Sequence, residues 1–130
     1  MKVDGERLAH NIQAMIDFNK ARGWNPALVD SAKSIVIEGA ELLEHFQWDE
    51  SDKDIPTISK QKDWAKVAKE VGDVFWYWIT FCNKAGIDPN EAIEITIAHN
   101  EEKYPAEKFN GQHNEDFYRQ QKAKYREGEK

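Results

Sequence analysis

Two acidic pairs, each embedded in an apolar helical stretch, constrain this chain more than any other feature. Glu38 and Glu41 form the first, in Glu38-Gly39-Ala40-Glu41; Glu70 and Asp73 form the second, in Glu70-Val71-Gly72-Asp73. Residues three apart share one face of a helix. Ile35-Val36-Ile37 leads into the first pair, and Val71, Val74 and Phe75 surround the second. One such pair is ordinarily a solvated helix face. Two pairs with core-type flanks imply adjacent helices whose acids face each other. Four carboxylates gathered there repel one another and lose hydration. A divalent cation removes both penalties, and all-oxygen ligation selects Mg²⁺, Mn²⁺ or Ca²⁺ over zinc. Gly39 and Gly72 stand beside the pairs. A mid-helix glycine costs about 1 kcal/mol relative to alanine, so the two glycines suggest a close approach of the helices.

The remaining pattern is also helical. Leu8, Ile12, Met15, Ile16 and Phe18 recur at helical spacing and predict a first helix over about 4–21, closed near Gly23. Arg22-Gly23-Trp24-Asn25-Pro26 reads as a turn. A second helix is expected over about 27–46, with Ile35, Ile37, Ala40, Leu42, Leu43 and Phe46 as its apolar positions. Residues 49–59 are charged, include Pro56 and break the periodicity, so they read as a loop. A third helix over about 62–84 ends at Gly86 and has a wide apolar face that includes Trp64, Val67, Val71, Phe75 and Trp78. Asp88-Pro89 gives the fourth helix a cap and an N1 proline, and it ends before Pro105. The polar tail, 106–130, holds a short helix over 115–126 whose Phe117, Tyr118 and Tyr125 can dock on the body or on a partner subunit. Strand-like alternation is absent. The expected fold is all-α: a four-helix, bundle-like body with a short C-terminal helix. At 130 residues the chain is expected to be one domain, with its core at about 4–105.

Charge and cysteine content narrow the function. With 18 Lys+Arg against 24 Asp+Glu, the net charge is −6. A nucleic-acid polymer needs a basic face, so that partner is not expected. A triphosphate is still compatible if divalent metal lies between the two sets of negative charge. The longest apolar run, 74–79, is far too short to span a bilayer. Residues 1–6 pass directly into a charged amphipathic pattern, with no signal peptide visible. Cys82, the single cysteine, makes no internal disulfide and belongs to no zinc-type cluster. It reads as a small buried hydrophobe, and a reducing cytoplasm is the fitting compartment.

A ferritin-like di-iron bundle is the main metal alternative. That chemistry uses Glu-x-x-His on two helices, and His10, His45, His99 and His113 all fall outside this spacing. The run Glu38-Gly39-Ala40-Glu41-Leu42-Leu43-Glu44-His45-Phe46-Gln47-Trp48, followed by Glu70-Val71-Gly72-Asp73, instead resembles the MazG-like nucleotide pyrophosphohydrolases of the all-α NTP pyrophosphatase superfamily. Phe46-Gln47-Trp48 and Asn100-Glu101-Glu102-Lys103-Tyr104-Pro105 look most like the dCTP pyrophosphatase branch, and Arg22-Gly23-Trp24 is similar to a family turn. The resemblance spans about 18–105. Two departures stand out. Ile37 replaces an acidic residue that many relatives carry, and 27–31 lack their Pro-Lys-Asn-Leu. Lys33 is the nearest substitute cation, although an exposed helix lysine is the simpler reading.

The resemblance implies hydrolysis of a nucleoside triphosphate, dCTP or a modified nucleotide among them, to the monophosphate and pyrophosphate. It implies Mg²⁺, with Mn²⁺ as an alternative, held by Glu38, Glu41, Glu70 and Asp73. Either Glu38 or Glu41 would activate the attacking water. No Ser/His/Asp or Cys/His arrangement offers a protein nucleophile. Tyr77 lies four residues after Asp73 on the same stripe and matches a tyrosine of relatives, with core packing as the alternative. Asn100 and Lys103 share a face of the fourth helix and suit sugar or phosphate contacts. Trp48 and Trp24 are candidates to stack on the base, although Trp24, like Trp64, Trp76 and Trp78, reads more simply as core or subunit contact. Glu44 is expected to support the acids, and His45 to be a bystander. A homodimer or homotetramer is expected, because the third helix is more apolar than one bundle needs and relatives assemble this way. The competing reading is a non-catalytic helical module, binding metal or a protein partner.

Overall fold

The computed structural model describes residues 1–48 and 62–128, and these residues contain helices and turns with no strand among them. The expected loop at 49–59 lies outside the described residues. The chain divides into two compact units, Met1–Ile87 and Asp88–Lys130.

The first unit holds α1 (Gly5–Ala21), α2 (Leu28–Glu44) and α3 (Trp64–Ala85). Local chemistry fixes their ends. The Asp4 carboxylate accepts the Arg7 N–H at 3.0 Å and caps α1. Asp63 does the same for α3, accepting the Lys66 N–H at 3.3 Å. This cap starts α3 at Trp64 rather than near Lys62. Gly86, at φ +69°, terminates α3 in the left-handed region that a side chain disfavours. α2 stops at Glu44, two residues short of its apolar pattern, where the N–H groups of His45 and Phe46 turn back to the Leu42 and Leu43 carbonyls.

α2 packs along α3 far more extensively than α1 does. Val67, Ile79 and Cys82 are the buried hydrophobic residues of α3, and Ser31 of α2 is fully enclosed. Cys82 is thus the small core residue expected, and burial pushes its thiol pKa up. The wide apolar face of α3 is only partly covered: Val71 is 51% exposed.

The second unit holds α4 (Pro89–Lys103), a 3₁₀ turn (Ala106–Lys108) and α5 (Glu115–Gly128). Asp88 caps α4 by accepting the Asn90 N–H at 2.8 Å, with Pro89 in the first turn where its missing N–H costs nothing. The aromatic residues of the tail pack within this unit. Tyr118 stacks on Tyr104 at 5.1 Å, Phe117 meets Phe109 at 5.3 Å, and Tyr125 meets His99 edge-on at 5.4 Å. No helix of the described residues is long and apolar enough to cross a membrane.

Candidate metal centre and adjoining cleft

α2 and α3 bring carboxylates together as their patterning requires. Glu38, Glu41 and Glu70 each offer an oxygen within 4.8 Å of the other two. Oxygens on opposite sides of Mg²⁺ lie about 4.2 Å apart, given metal–oxygen distances of about 2.1 Å. Small rotamer changes would close the triad on such an ion. Glu41 is exposed, Glu38 is half-buried, and the Glu70 side chain keeps only 13% of its surface exposed.

Asp73 belongs to the same neighbourhood but is engaged elsewhere. Its Oδ2 lies 2.6 Å from Lys69 Nζ, which also approaches Glu70 Oε1 at 3.4 Å. The electrostatics follow from this arrangement. Burial raises the Glu38 pKa, the charges of Glu41, Asp73 and Glu70 raise it further, and Lys69 opposes them. The Lys69 ammonium is itself held on, chiefly by its hydrogen bond to Asp73. A carboxylate triad whose negative potential Lys69 relieves only in part suits a hard divalent cation.

Lys69 was not apparent as part of the site from the sequence, although a lysine four residues before an aspartate on one helix is a recognisable pairing signal. The glycines do not mark a close helix approach. Among the described residues, a Cβ placed at Gly39 or Gly72 meets no atom within 4 Å outside its chain neighbours and its own helix backbone. The helices approach through other faces, and no other described element closes on either glycine.

Tyr77 lies one turn beyond Asp73 on α3 and lines a cleft of about 550 Å³. The cleft also has Trp24, Trp76, Asn19 and Thr80 in its walls, and its size is typical of small-molecule sites. Its rim is built by the turn after α1. Gly23, at φ +64°, reverses the chain, and the Trp24 N–H returns to the Asn19 carbonyl at 3.0 Å. Lys84 ties Asn25 to α3 at 2.7 Å. The Phe18 ring meets Trp76 at 5.1 Å and Trp24 at 5.7 Å, both edge-on. Trp24 is therefore a cleft wall, 58% exposed, and not a core residue. A turn places it beside α3 without covering it.

The other candidates of the first unit stand outside these two features. Trp48 is 88% exposed and does not line the cleft. Glu44 and Lys33 are exposed and outside the triad. His45 contributes its backbone carbonyl, which accepts from Lys62. Asn100 and Lys103 belong to the second unit. Asn100 is exposed, and its carbonyl accepts the Tyr104 N–H at 2.8 Å. The Lys103 ammonium lies 5.4 Å and 5.1 Å from the ring centres of Tyr104 and Tyr125.

Comparison with known proteins places this geometry in a family. The MazG-like family model matches residues 33–117. The crystal structure of a pyrophosphatase from Archaeoglobus fulgidus aligns at a TM-score of 0.68 with 32% identity, covering 81% of this chain and 98% of that one. No curated protein matches. The matched residues contain both acidic pairs, and the all-helical architecture agrees with that of the archaeal structure: the chain belongs to the MazG-like family.

Proposed function

We propose that this MazG-like pyrophosphohydrolase is Mg²⁺-dependent, with Mn²⁺ as an alternative, and cleaves a nucleoside triphosphate to the monophosphate and pyrophosphate. The observation that carries the reading is the triad of Glu38, Glu41 and Glu70, each offering an oxygen within 4.8 Å of the other two. A metal held there would neutralise phosphate oxygens and polarise phosphorus. Asp73 would help to hold that metal once freed from Lys69. Glu38 or Glu41 orients the attacking water and takes its proton. The water oxygen bonds to the α-phosphorus, the bond from that phosphorus to the α–β bridging oxygen breaks, and pyrophosphate leaves with the electron pair.

The base is assigned to the cleft lined by Tyr77 and Trp24, with Trp48 as a further stacking surface. Asn100 and Lys103 are assigned to sugar and phosphate. The similarity of Phe46-Gln47-Trp48 to the dCTP branch favours dCTP or a modified nucleotide, and the setting is cytoplasmic. A homodimer or homotetramer is supported by the exposure of apolar side chains on α2 and α3: Val36 at 71%, Ile37 at 55% and Val71 at 51%.

The test is pyrophosphate release from a panel of NTPs and dNTPs with Mg²⁺. Turnover of at least one member is expected. Failure of the folded protein to cleave any of them would sink the reading.

A further inference from the structure

Lysine side chains lay their stems on the protein and keep their ammonium groups in water. Among the described lysines only Lys62, Lys103 and Lys122 are half-buried. Lys62 donates to the His45 carbonyl. Lys103 and Lys122, both in the second unit, make no ion pair or hydrogen bond among the described residues. Glu115, an acid at the start of α5, is paired with Arg119 at 2.5 Å instead. The neighbours of the two ammonium groups are rings. Lys103 Nζ lies 5.4 Å and 5.1 Å from the ring centres of Tyr104 and Tyr125, and Lys122 Nζ lies 5.7 Å from that of Tyr118. Both lysines stand on one seam. Tyr118 stacks on Tyr104 and Tyr125 meets His99, so the face of α5 that carries these two tyrosines rests on the end of α4. Lys122 falls four residues after Tyr118 and three before Tyr125, on that same face. Lys103 falls four residues after His99, on the α4 side of the seam.

We propose that Lys122, together with Lys103, forms a seat for a condensed phosphate anion at the α4–α5 seam. A ring face attracts an ammonium group but offers no anionic oxygen to its three N–H donors. Two like charges on one seam repel, and an anion between them removes the repulsion while accepting charge-assisted hydrogen bonds from both. A pyrophosphate or triphosphate chain carries its oxygens along its length and so can serve two separate lysines. The chain as a whole is acidic, at −6, so two half-buried lysines without a carboxylate are not explained by its general charge. Lys122 and Tyr125 lie beyond residues 33–117, the span that the family model matches. The seat is thus completed by a segment outside that match. The occupant is the phosphate chain of a substrate or the pyrophosphate released from it, which share this chemistry. The inference rests on the proposed function for the identity of the anion, but it is tested by binding without metal.

Isothermal titration calorimetry of the full chain, with EDTA present, would measure binding of inorganic tripolyphosphate and of pyrophosphate. Wild type, Lys122→Gln, Lys122→Arg and Lys103→Gln would be compared, with folding of each checked by circular dichroism. At least one of the two anions is expected to bind the wild type. Lys122→Gln and Lys103→Gln are each expected to weaken it about tenfold, the scale of a lost hydrogen bond to a charged group. Lys122→Arg keeps the charge and is expected to restore binding. No binding of either anion by the wild type, or equal binding by folded Lys122→Gln, would overturn the inference. Steady-state kinetics with Mg²⁺ separate the two sources. A raised KM for the triphosphate in Lys122→Gln identifies the substrate's phosphate chain as the occupant. An unchanged KM with weaker inhibition by added pyrophosphate identifies the released product. Turnover without metal-free binding leaves the proposed function standing and removes this inference. Binding without turnover does the reverse.

Discussion

The Lys69 ammonium lies 2.6 Å from Oδ2 of Asp73, one turn further along α3. It gives the acidic cluster an internal counter-charge, but only at one corner. Lys69 also reaches Glu70, at the longer distance of 3.4 Å, and Glu38, Glu41 and Glu70 stay together beside it. A divalent ion that recruits all four acids must draw Asp73 away from Lys69.

Lys69→Met tests that competition. The pair is partly solvated, at 66% and 35% side-chain exposure, and such pairs contribute about 0.2–1 kcal/mol. The metal-free variant is expected to lose no more than about this. Its rise in Tm on adding Mg²⁺ is expected to exceed that of the wild type, because Asp73 is already free. Equal rises in thermal melts of the two proteins would contradict the competition.

Glu38 supplies a pH signature. Its carboxyl holds its proton to higher pH in the folded protein than its ordinary value of 4.5, through burial first and then the charges of Glu41, Asp73 and Glu70. The metal-free fold therefore binds more protons than the unfolded chain in this window, and the penalty from Glu38 fades as pH falls through its folded value. Glu38→Gln removes the penalty at all pH values. Urea denaturation without metal is expected to find the variant more stable than wild type at pH 7. The margin should narrow as pH approaches 4.5. A margin independent of pH would refute the assignment.

The core of the first unit is thin enough for single residues to matter. Ile79 is 2% exposed, and truncating such a side chain to alanine costs about 2–5 kcal/mol. Urea denaturation of Ile79→Ala is expected to show a loss in that range, with Ile79→Val losing about 0.5–1.5 kcal/mol. A loss below about 0.5 kcal/mol in the alanine variant would mean that Ile79 is not packed as described.

The glycines separate two views of the helix surface. Alanine is favoured over glycine in a helix by about 1 kcal/mol, and among the described residues a Cβ at Gly39 or Gly72 meets open space. Gly39→Ala and Gly72→Ala are each expected to raise Tm. A fall would show that another surface covers these positions in solution.

The helices and the acidic triad were legible because both rest on local rules. Period, caps and the terminating Gly86 are written within a few residues of where they act. The i, i+3 spacing placed Glu38 with Glu41 on one face, and their apolar flanks implied that α2 would lie against α3. What was not legible depends on which face meets which neighbour. Gly39 and Gly72 suggest contact points, yet the contact runs elsewhere. The chemistry of Trp24 suggests core, but its exposure is set by the turn at Gly23. The Asn19–Thr80 hydrogen bond joins residues 61 positions apart, and no periodicity announces such a pairing.

Metal-dependent pyrophosphate release by the wild type and Glu41→Gln is the most direct test of the metal centre. Glu41 is exposed, so its loss is expected to leave the fold intact. The account predicts release that requires a divalent cation, stops on chelation, and falls about 100-fold or more in Glu41→Gln, the scale of a lost ligand or general base. Release that persists without divalent metal, or that is unchanged in Glu41→Gln, would contradict it.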